Sequence, residues 1–134
     1  MNSLDTNVVL RYLLNDIPEQ TIKSKAVITS TASYITDVVA VEIIFVLERV
    51  VGMERSDIVR LVKSFLSLPS LVYNVYFLEQ SIDLYGKNKT LSIADCYAAT
   101  EAKVYNNSLV TFDKELIKHG GSHVKDAETQ IIIK

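Results

Sequence analysis

The chain is poor in cysteine, proline and glycine, and it has no tryptophan. A single cysteine, Cys96, cannot form an internal disulfide, which excludes a disulfide-held scaffold and suits a reducing cytoplasm. Two prolines and four glycines in 134 residues indicate no linker or low-complexity segment. We therefore expect a single domain over residues 1–134, long enough to bury a core.

Long apolar runs and a strong net charge are also lacking. The longest apolar run, 38–47, is interrupted by Glu42 and falls short of the roughly 20 residues that a membrane span needs. No basic segment precedes an apolar one at the N-terminus, so we expect no signal peptide and a cytoplasmic location. The net charge of −2 is not a nucleic-acid signature, but bound cations could reverse the sign locally and admit a polyanionic substrate.

Short β-prone runs alternate with longer segments of helical periodicity along the chain. The first β-prone run ends before Asp5. The others occupy residues 33–36, 71–75, 108–112, 123–125 and 130–133. Helices are predicted at 8–14, 20–31, 38–51, 57–68, 77–85, 92–105 and 114–119. This alternation predicts an α/β fold, a three-layer α/β/α sandwich around a mostly parallel central sheet of about four or five short strands.

Two of the predicted helices carry specific expectations about burial. In the helix at 20–31, Ile22, Ala26 and Val27 are expected to face inward. The helix at 38–51 is apolar almost all round and is therefore expected to be buried, with Glu42 inside it. An isolated buried carboxylate is costly, so Glu42 should be paired, protonated or bound to a metal ion.

Four acids occupy comparable places in this pattern: Asp5, Glu42, Asp95 and Asp113. In a doubly wound sheet, strand ends and the helix starts that follow them share one edge, where these acids could converge. Converging carboxylates repel one another unless cations neutralise them. Oxygen ligands favour Mg²⁺ or Mn²⁺ over zinc, and carboxylate-held Mg²⁺ serves mainly phosphoryl-transfer chemistry.

Three of these acids also have a purely structural explanation. Asp5 and Asp113 each stand where a helix begins and could simply cap it. Glu42 could form a salt bridge with Arg49 or Arg11.

Asp95 has its own structural explanation, because Ser92 and Asp95 have the S-x-x-D spacing of a capping box. Its helical neighbours Ala98, Ala99 and Ala102 are all small, however. Small side chains would leave open space beside the carboxylate, which a cap does not need and a binding site does.

The segments that contain the four acids resemble the PIN domain family, and in particular the small VapC-type ribonuclease toxins of toxin–antitoxin pairs. These segments are L-D-T-N-V at 4–8, V-x-x-x-E-I at 38–43, S-I-A-D-C-Y-A-A-T at 92–100 and L-V-T-F-D-K-E-L at 109–116. Asp5, Glu42, Asp95 and Asp113, called the acidic quartet below, match the acids of that family one by one.

The resemblance implies a homodimeric Mg²⁺- or Mn²⁺-dependent endoribonuclease, inhibited by a cognate antitoxin that inserts into the acidic groove. The acidic quartet would be both catalytic and metal-binding, so that a cation activates water for attack on an RNA phosphodiester. Thr6, Asn7 and Thr111 fall where the family has supporting polar residues. Glu115 stands where the family often has a further Asp.

Four lysines are candidates for guiding the RNA backbone. Lys87 and Lys89 precede the helix that contains Asp95, and Lys114 and Lys118 follow Asp113. The alternative is that all four are solvated surface charges.

Three other functions fit parts of the pattern. A PIN-fold nuclease could process RNA instead of acting as a toxin, although the small size without appended domains favours the toxin. A catalytically silent module could bind RNA or protein, but the intact quartet counts against it. A phosphorelay receiver domain needs an acidic pair after its first strand and a lysine after its last strand. This chain has only one acid, Asp5, after its first strand.

Overall fold

Short strands and longer helices alternate throughout residues 1–129, the part of the chain that the computed structural model describes. The strands are β1 (Asn2–Ser3), β2 (Ser33–Ile35), β3 (Leu71–Tyr73), β4 (Leu109–Thr111) and β5 (Val124–Asp126). The helices are α1 (Thr6–Leu14), α2 (Pro18–Ser30), α3 (Asp37–Arg49), α4 (Arg55–Leu66), α5 (Val75–Lys87), α6 (Ile93–Tyr105) and α7 (Lys114–His119). These elements form two compact units, Met1–Val75 and a second that begins at Tyr76.

The first unit is built on a three-stranded parallel sheet with the order β1-β2-β3. Ser33 of β2 pairs with Asn2 on one side and with Leu71 on the other. Parallel neighbours cannot be joined by a tight hairpin, so each connection is a helical crossover. Helices α1 and α2 connect β1 to β2, and α3 and α4 connect β2 to β3.

The core of the first unit takes apolar side chains from the sheet and its crossover helices. The most deeply buried are Val9, Ile28, Ile35, Ile44, Leu47 and Ile58. Each such side chain contributes about 1.5–3 kcal/mol when it is removed from water. The crossover helices are therefore fixed mainly by one buried face each.

The second unit contains α5, α6 and a two-stranded parallel sheet, β4-β5, whose strands are connected by α7. Leu109 pairs with Val124 in this sheet. Its core includes Leu78, Ile82 and Tyr85 of α5. Cys96 of α6 is fully buried there, as a small core residue is expected to be.

The predicted α/β class is confirmed, and every strand pair among residues 1–129 is parallel. The five strands are hydrogen-bonded as a three-stranded and a two-stranded sheet. The β-prone run at 123–125 corresponds to β5, and the one at 130–133 lies outside the described residues. A single domain over residues 1–134 stays a prediction. Within 1–129, no helix combines the length and apolarity that crossing a bilayer requires.

Helix α3 is not buried all round, so that expectation is wrong. Val38 is 75% exposed and Phe45 is 52% exposed, and Glu42 between them is exposed as well. The buried side of α3 is formed by Ala40, Ile43, Ile44 and Leu47. Apolar residues occur on nearly every side of α3, but only one face packs onto the core of the unit.

Helix α2 also buries a different face from the one predicted. Ile22 is 68% exposed and Ala26 is exposed too, whereas Thr21 and Ser24 are buried. Small polar side chains suit this face because α2 packs closely against α1. The Thr21 hydroxyl donates a hydrogen bond to the carbonyl oxygen of Arg11 across that contact, at 3.0 Å.

Candidate active site

Asp5 stands at the junction of the first sheet and α1. The backbone N–H of Leu4 still donates to the carbonyl oxygen of Tyr34 in β2, at 3.0 Å. Asp5 is then the N-cap residue of α1, with extended backbone angles, and its carbonyl oxygen accepts the N–H of Val9. Its exposed carboxylate, however, caps nothing. The capping position is therefore occupied by an acid whose side chain remains available.

Glu42 lies on the exposed side of α3, which overturns the expectation of a buried carboxylate. The salt bridges suggested for it do not form either. Arg11 instead has its Nη1 atom 3.4 Å from Asp16 Oδ2. Within residues 1–129, neither Arg49 nor any other cation pairs with Glu42. Its carboxylate is free for an external ligand.

Asp95 is the third residue of α6 and forms one half of the predicted capping box. The Ser92 hydroxyl accepts the backbone N–H of Asp95 at 3.1 Å. The half-buried Asp95 carboxylate accepts no hydrogen bond among the described residues. Of its small helical neighbours, Ala99 and Ala102 are buried and Ala98 is half-buried, and open space beside the carboxylate stays a prediction. Small side chains here let the helix pack closely.

Asp113 is the one member of the acidic quartet whose carboxylate does cap a helix. Its Oδ1 accepts the backbone N–H groups of Glu115 at 2.9 Å and Leu116 at 3.1 Å. The Asp113 N–H in turn donates to the Thr111 hydroxyl at 3.0 Å. Thr111 therefore does support this acid locally. Two fixed donors on Oδ1 orient the carboxylate and leave Oδ2 without a cap bond.

The other predicted polar residues have distinct surroundings. Thr6 is buried at the start of α1, and Asn7 is exposed beside it. Glu115 accepts a hydrogen bond from the Thr90 hydroxyl at 3.2 Å. Its Oε2 also lies 3.4 Å from His119 Nε2, an ion pair when the imidazole is protonated. Glu115 is thus tied into contacts within the second unit.

The four candidate lysines differ in whether they form ion pairs or line a cleft. The exposed Lys114 has its Nζ atom 3.8 Å from Oδ2 of the half-buried Asp126, a long ion pair of little energetic weight. Lys87 lines a cleft of about 250 Å³ in the second unit, together with Asp83 and Lys103. Lys89 and Lys118 are exposed and unpaired among the described residues.

Asp5 and Glu42 belong to the first unit, and Asp95 and Asp113 belong to the second. Within residues 1–129, no three Asp, Glu, His or Cys side chains are grouped closely enough to hold a metal ion. Convergence of the four acids stays a prediction. The donor chemistry nevertheless fits Mg²⁺ or Mn²⁺, because each of the four carboxylates keeps at least one oxygen without a partner among residues 1–129.

Arg11 is a polar residue of the first unit whose surroundings the sequence did not reveal. The sequence suggests Arg11 only as a partner for Glu42, and nothing in it distinguishes Lys23 from other surface lysines. In the structure both line one cleft between α1 and α2. The available signal was the spacing of Asn7 and Arg11, which places them one turn apart on the same side of a helix.

The comparison with protein families gives one match, to the family described as PIN domain, over residues 3–121. The matched range contains all four acids of the quartet. None of the curated proteins searched matches the chain.

Proposed function

Because the chain belongs to the PIN domain family, whose members are generally nucleases, we propose that it is a Mg²⁺- or Mn²⁺-dependent endoribonuclease. The observation that carries this proposal is the state of Asp5. It occupies a helix-capping position at a strand end, yet its carboxylate makes no cap hydrogen bond. A structural acid would be expected to use that bond, which is worth about 1 kcal/mol. A ligand-binding acid keeps its oxygens free.

We assign the acidic quartet as the residues that hold the cation. When bound, such an ion activates water and stabilises the charge that develops on the phosphodiester oxygens. The chain supplies negative charge through Asp5, Glu42, Asp95 and Asp113. Asp113 is pre-oriented for this task, because two backbone N–H groups fix its carboxylate. Pre-orientation reduces the cost of organising the ligands at the moment of reaction.

We further propose the cellular role of a toxin whose partners are RNA, a cognate antitoxin and a second copy of the chain, in the cytoplasm. The exposed face of α3 supports a protein partner. Val38 and Phe45 flank Glu42 there, at one-turn spacings on either side. A partner that covers this face would bury apolar surface and block the acid at once.

Cleavage of RNA by the purified protein tests the proposed activity. We expect cutting of transfer or ribosomal RNA with Mg²⁺ or Mn²⁺ and none with a chelator. Asp5→Asn and Asp95→Asn should each lower the rate by at least about 100-fold, as removal of a charge-stabilising group typically does. Glu101→Gln is the matched control, since Glu101 is an exposed acid on the same helix as Asp95.

Two outcomes would contradict the proposal. Equal cleavage by wild type, Asp5→Asn and Asp95→Asn would remove the quartet from the chemistry. RNA binding without cutting would instead support a silent binding module.

A further inference from the structure

The cleft between α1 and α2 in the first unit is lined almost entirely by hydrogen-bond donors. Its volume is about 290 Å³, and its walls are Asn7, Val8 and Arg11 from α1 and Gln20, Lys23 and Ser24 from α2. Five of these six side chains carry a donor, and none is acidic. Lys23 therefore gives the cleft a positive charge, beside the Arg11 guanidinium, whose own charge is paired with Asp16.

Arg11 presents a donor that no residue in the described part of the chain satisfies. Its side chain is only 19% exposed, and Nη1 is engaged with Asp16. Its Nε is fully buried and has no hydrogen-bond partner within residues 1–129. Leaving a buried donor unpaired costs about 1–3 kcal/mol, and more when the group is charged. Because Arg11 lines the cleft, an acceptor bound there that draws the guanidinium toward the cavity would remove that cost.

The α2 side of the cleft offers further unused donors. Ser24 is buried, with 5% exposure, and its hydroxyl makes no hydrogen bond within the described part of the chain. Lys23 is exposed and forms no ion pair in the same range. The cleft thus combines the planar guanidinium of Arg11, the flexible ammonium group of Lys23 and the hydroxyl of Ser24. These groups suit an oxyanion such as phosphate.

The cleft begins next to an acid of the quartet. Asp5 is the N-cap residue of α1, and Asn7 follows it by two residues. Arg11 follows Asp5 by six residues, about 9 Å along the axis at a rise of roughly 1.5 Å per residue. A phosphate in the cleft would therefore belong to a nucleotide close to the one at Asp5.

Taking the proposed ribonuclease function as given, we propose that this cleft is a phosphate subsite. It binds one backbone phosphate of the RNA strand through Arg11, Lys23 and Ser24 and so positions the strand beside Asp5. Asp5 repels phosphates in the absence of a cation, whereas the cleft attracts them. Because Asp5 at the start of α1 and the cleft farther along it act oppositely on phosphates, they would together fix which stretch of the RNA backbone lies beside Asp5.

Binding of a short fluorescent single-stranded RNA, measured by anisotropy in chelator so that no cutting occurs, tests this subsite. We expect Lys23→Gln to weaken binding about fivefold. It should also lower the slope of log affinity against log salt by roughly 0.7, the value for one phosphate contact on a single strand. Lys25→Gln is the matched control, because Lys25 is exposed on the same helix but does not line the cleft.

A second measurement reports on the cleft without RNA. Inorganic phosphate is titrated into the protein while the Arg11 Nε–H signal is followed by NMR, and we expect that signal to shift. Arg11→Lys keeps the charge but removes the Nε–H donor. It should therefore weaken RNA binding while keeping the salt slope, with its folding checked by circular dichroism.

The outcomes separate the subsite from the nuclease. If RNA is cut but Lys23→Gln behaves like Lys25→Gln and the Arg11 signal does not move, the subsite is wrong and the nuclease stands. If phosphate shifts the Arg11 signal but wild type neither binds nor cuts RNA, the cleft is an anion site and its assignment to an RNA strand is overturned together with the nuclease.

Discussion

Asp113 has to meet two requirements with one side chain. Its Oδ1 accepts two backbone N–H groups at the start of α7, which is a structural task. As a member of the acidic quartet, it is also proposed to bind a cation. The two tasks depend on different properties, since capping needs an acceptor oxygen and cation binding needs negative charge. Substitution can therefore separate them.

Asp113→Asn should leave stability nearly unchanged, because asparagine caps helices about as well as aspartate. Asp113→Ala should cost about 1 kcal/mol, because the cap is lost. Both variants should lose RNA cleavage, since neither retains the carboxylate. Urea unfolding and a cleavage assay on the same preparations would measure the two effects. Cleavage by Asp113→Asn at the wild-type rate would reduce Asp113 to a cap.

The connection between α7 and β5 brings the end of the helix close to the strand. Gly120 follows α7, and its N–H donates to the carbonyl oxygen of Leu116 at 2.8 Å. A Cβ at Gly120 would lie 2.6 Å from that oxygen and 2.7 Å from a methyl carbon of Val124. Only glycine lets the end of the helix approach the strand this closely.

Gly120→Ala should therefore destabilise the protein by about 1–3 kcal/mol, the usual cost of overpacking. The reason is steric, since the φ of Gly120 is −80° and is accessible to any residue. Ser122→Ala, at an exposed position of the same connection, should change stability by no more than about 0.5 kcal/mol. Thermal or urea unfolding of the two variants measures the difference. A wild-type midpoint for Gly120→Ala would mean that α7 and β5 are not held this closely.

At the scale of the whole molecule, a set of large apolar side chains remains exposed. Ile22 on α2, Phe45 on α3 and Phe112 after β4 all have more than half of their surface in water. Each of these side chains offers apolar area that a partner could cover. They support the proposal that the chain associates with itself and with an antitoxin.

We expect the purified protein to have twice the 15.0 kDa mass of one chain in light scattering or equilibrium sedimentation. Burial of apolar surface is the driving force. Ile22→Ser and Phe45→Ser test the α2 and α3 faces separately, and the variant that dissociates at higher concentration identifies the interface. A single-chain mass throughout a dilution series would contradict the homodimer.

The sequence was sufficient to predict the elements and their order. Periodicity of apolar residues is a local property, so α1 to α7 and the short strands could be identified from neighbouring residues. The hydroxyl caps at Thr36 and Ser92 are local as well, and each accepts the N–H three residues on. The candidate acids could be recognised because they follow strands or begin helices, which needs no tertiary information.

The sequence by itself thus determined the α/β class and the parallel pairing, and it singled out the acidic quartet as a prediction. Only the tertiary structure decided which helix faces are buried, because this depends on what each helix packs against. It placed Glu42 in solvent, turned Thr21 and Ser24 of α2 inward, and paired Arg11 with Asp16. The donor-lined cleft arose from the same packing, since its two walls come from helices whose relative position no local pattern encodes.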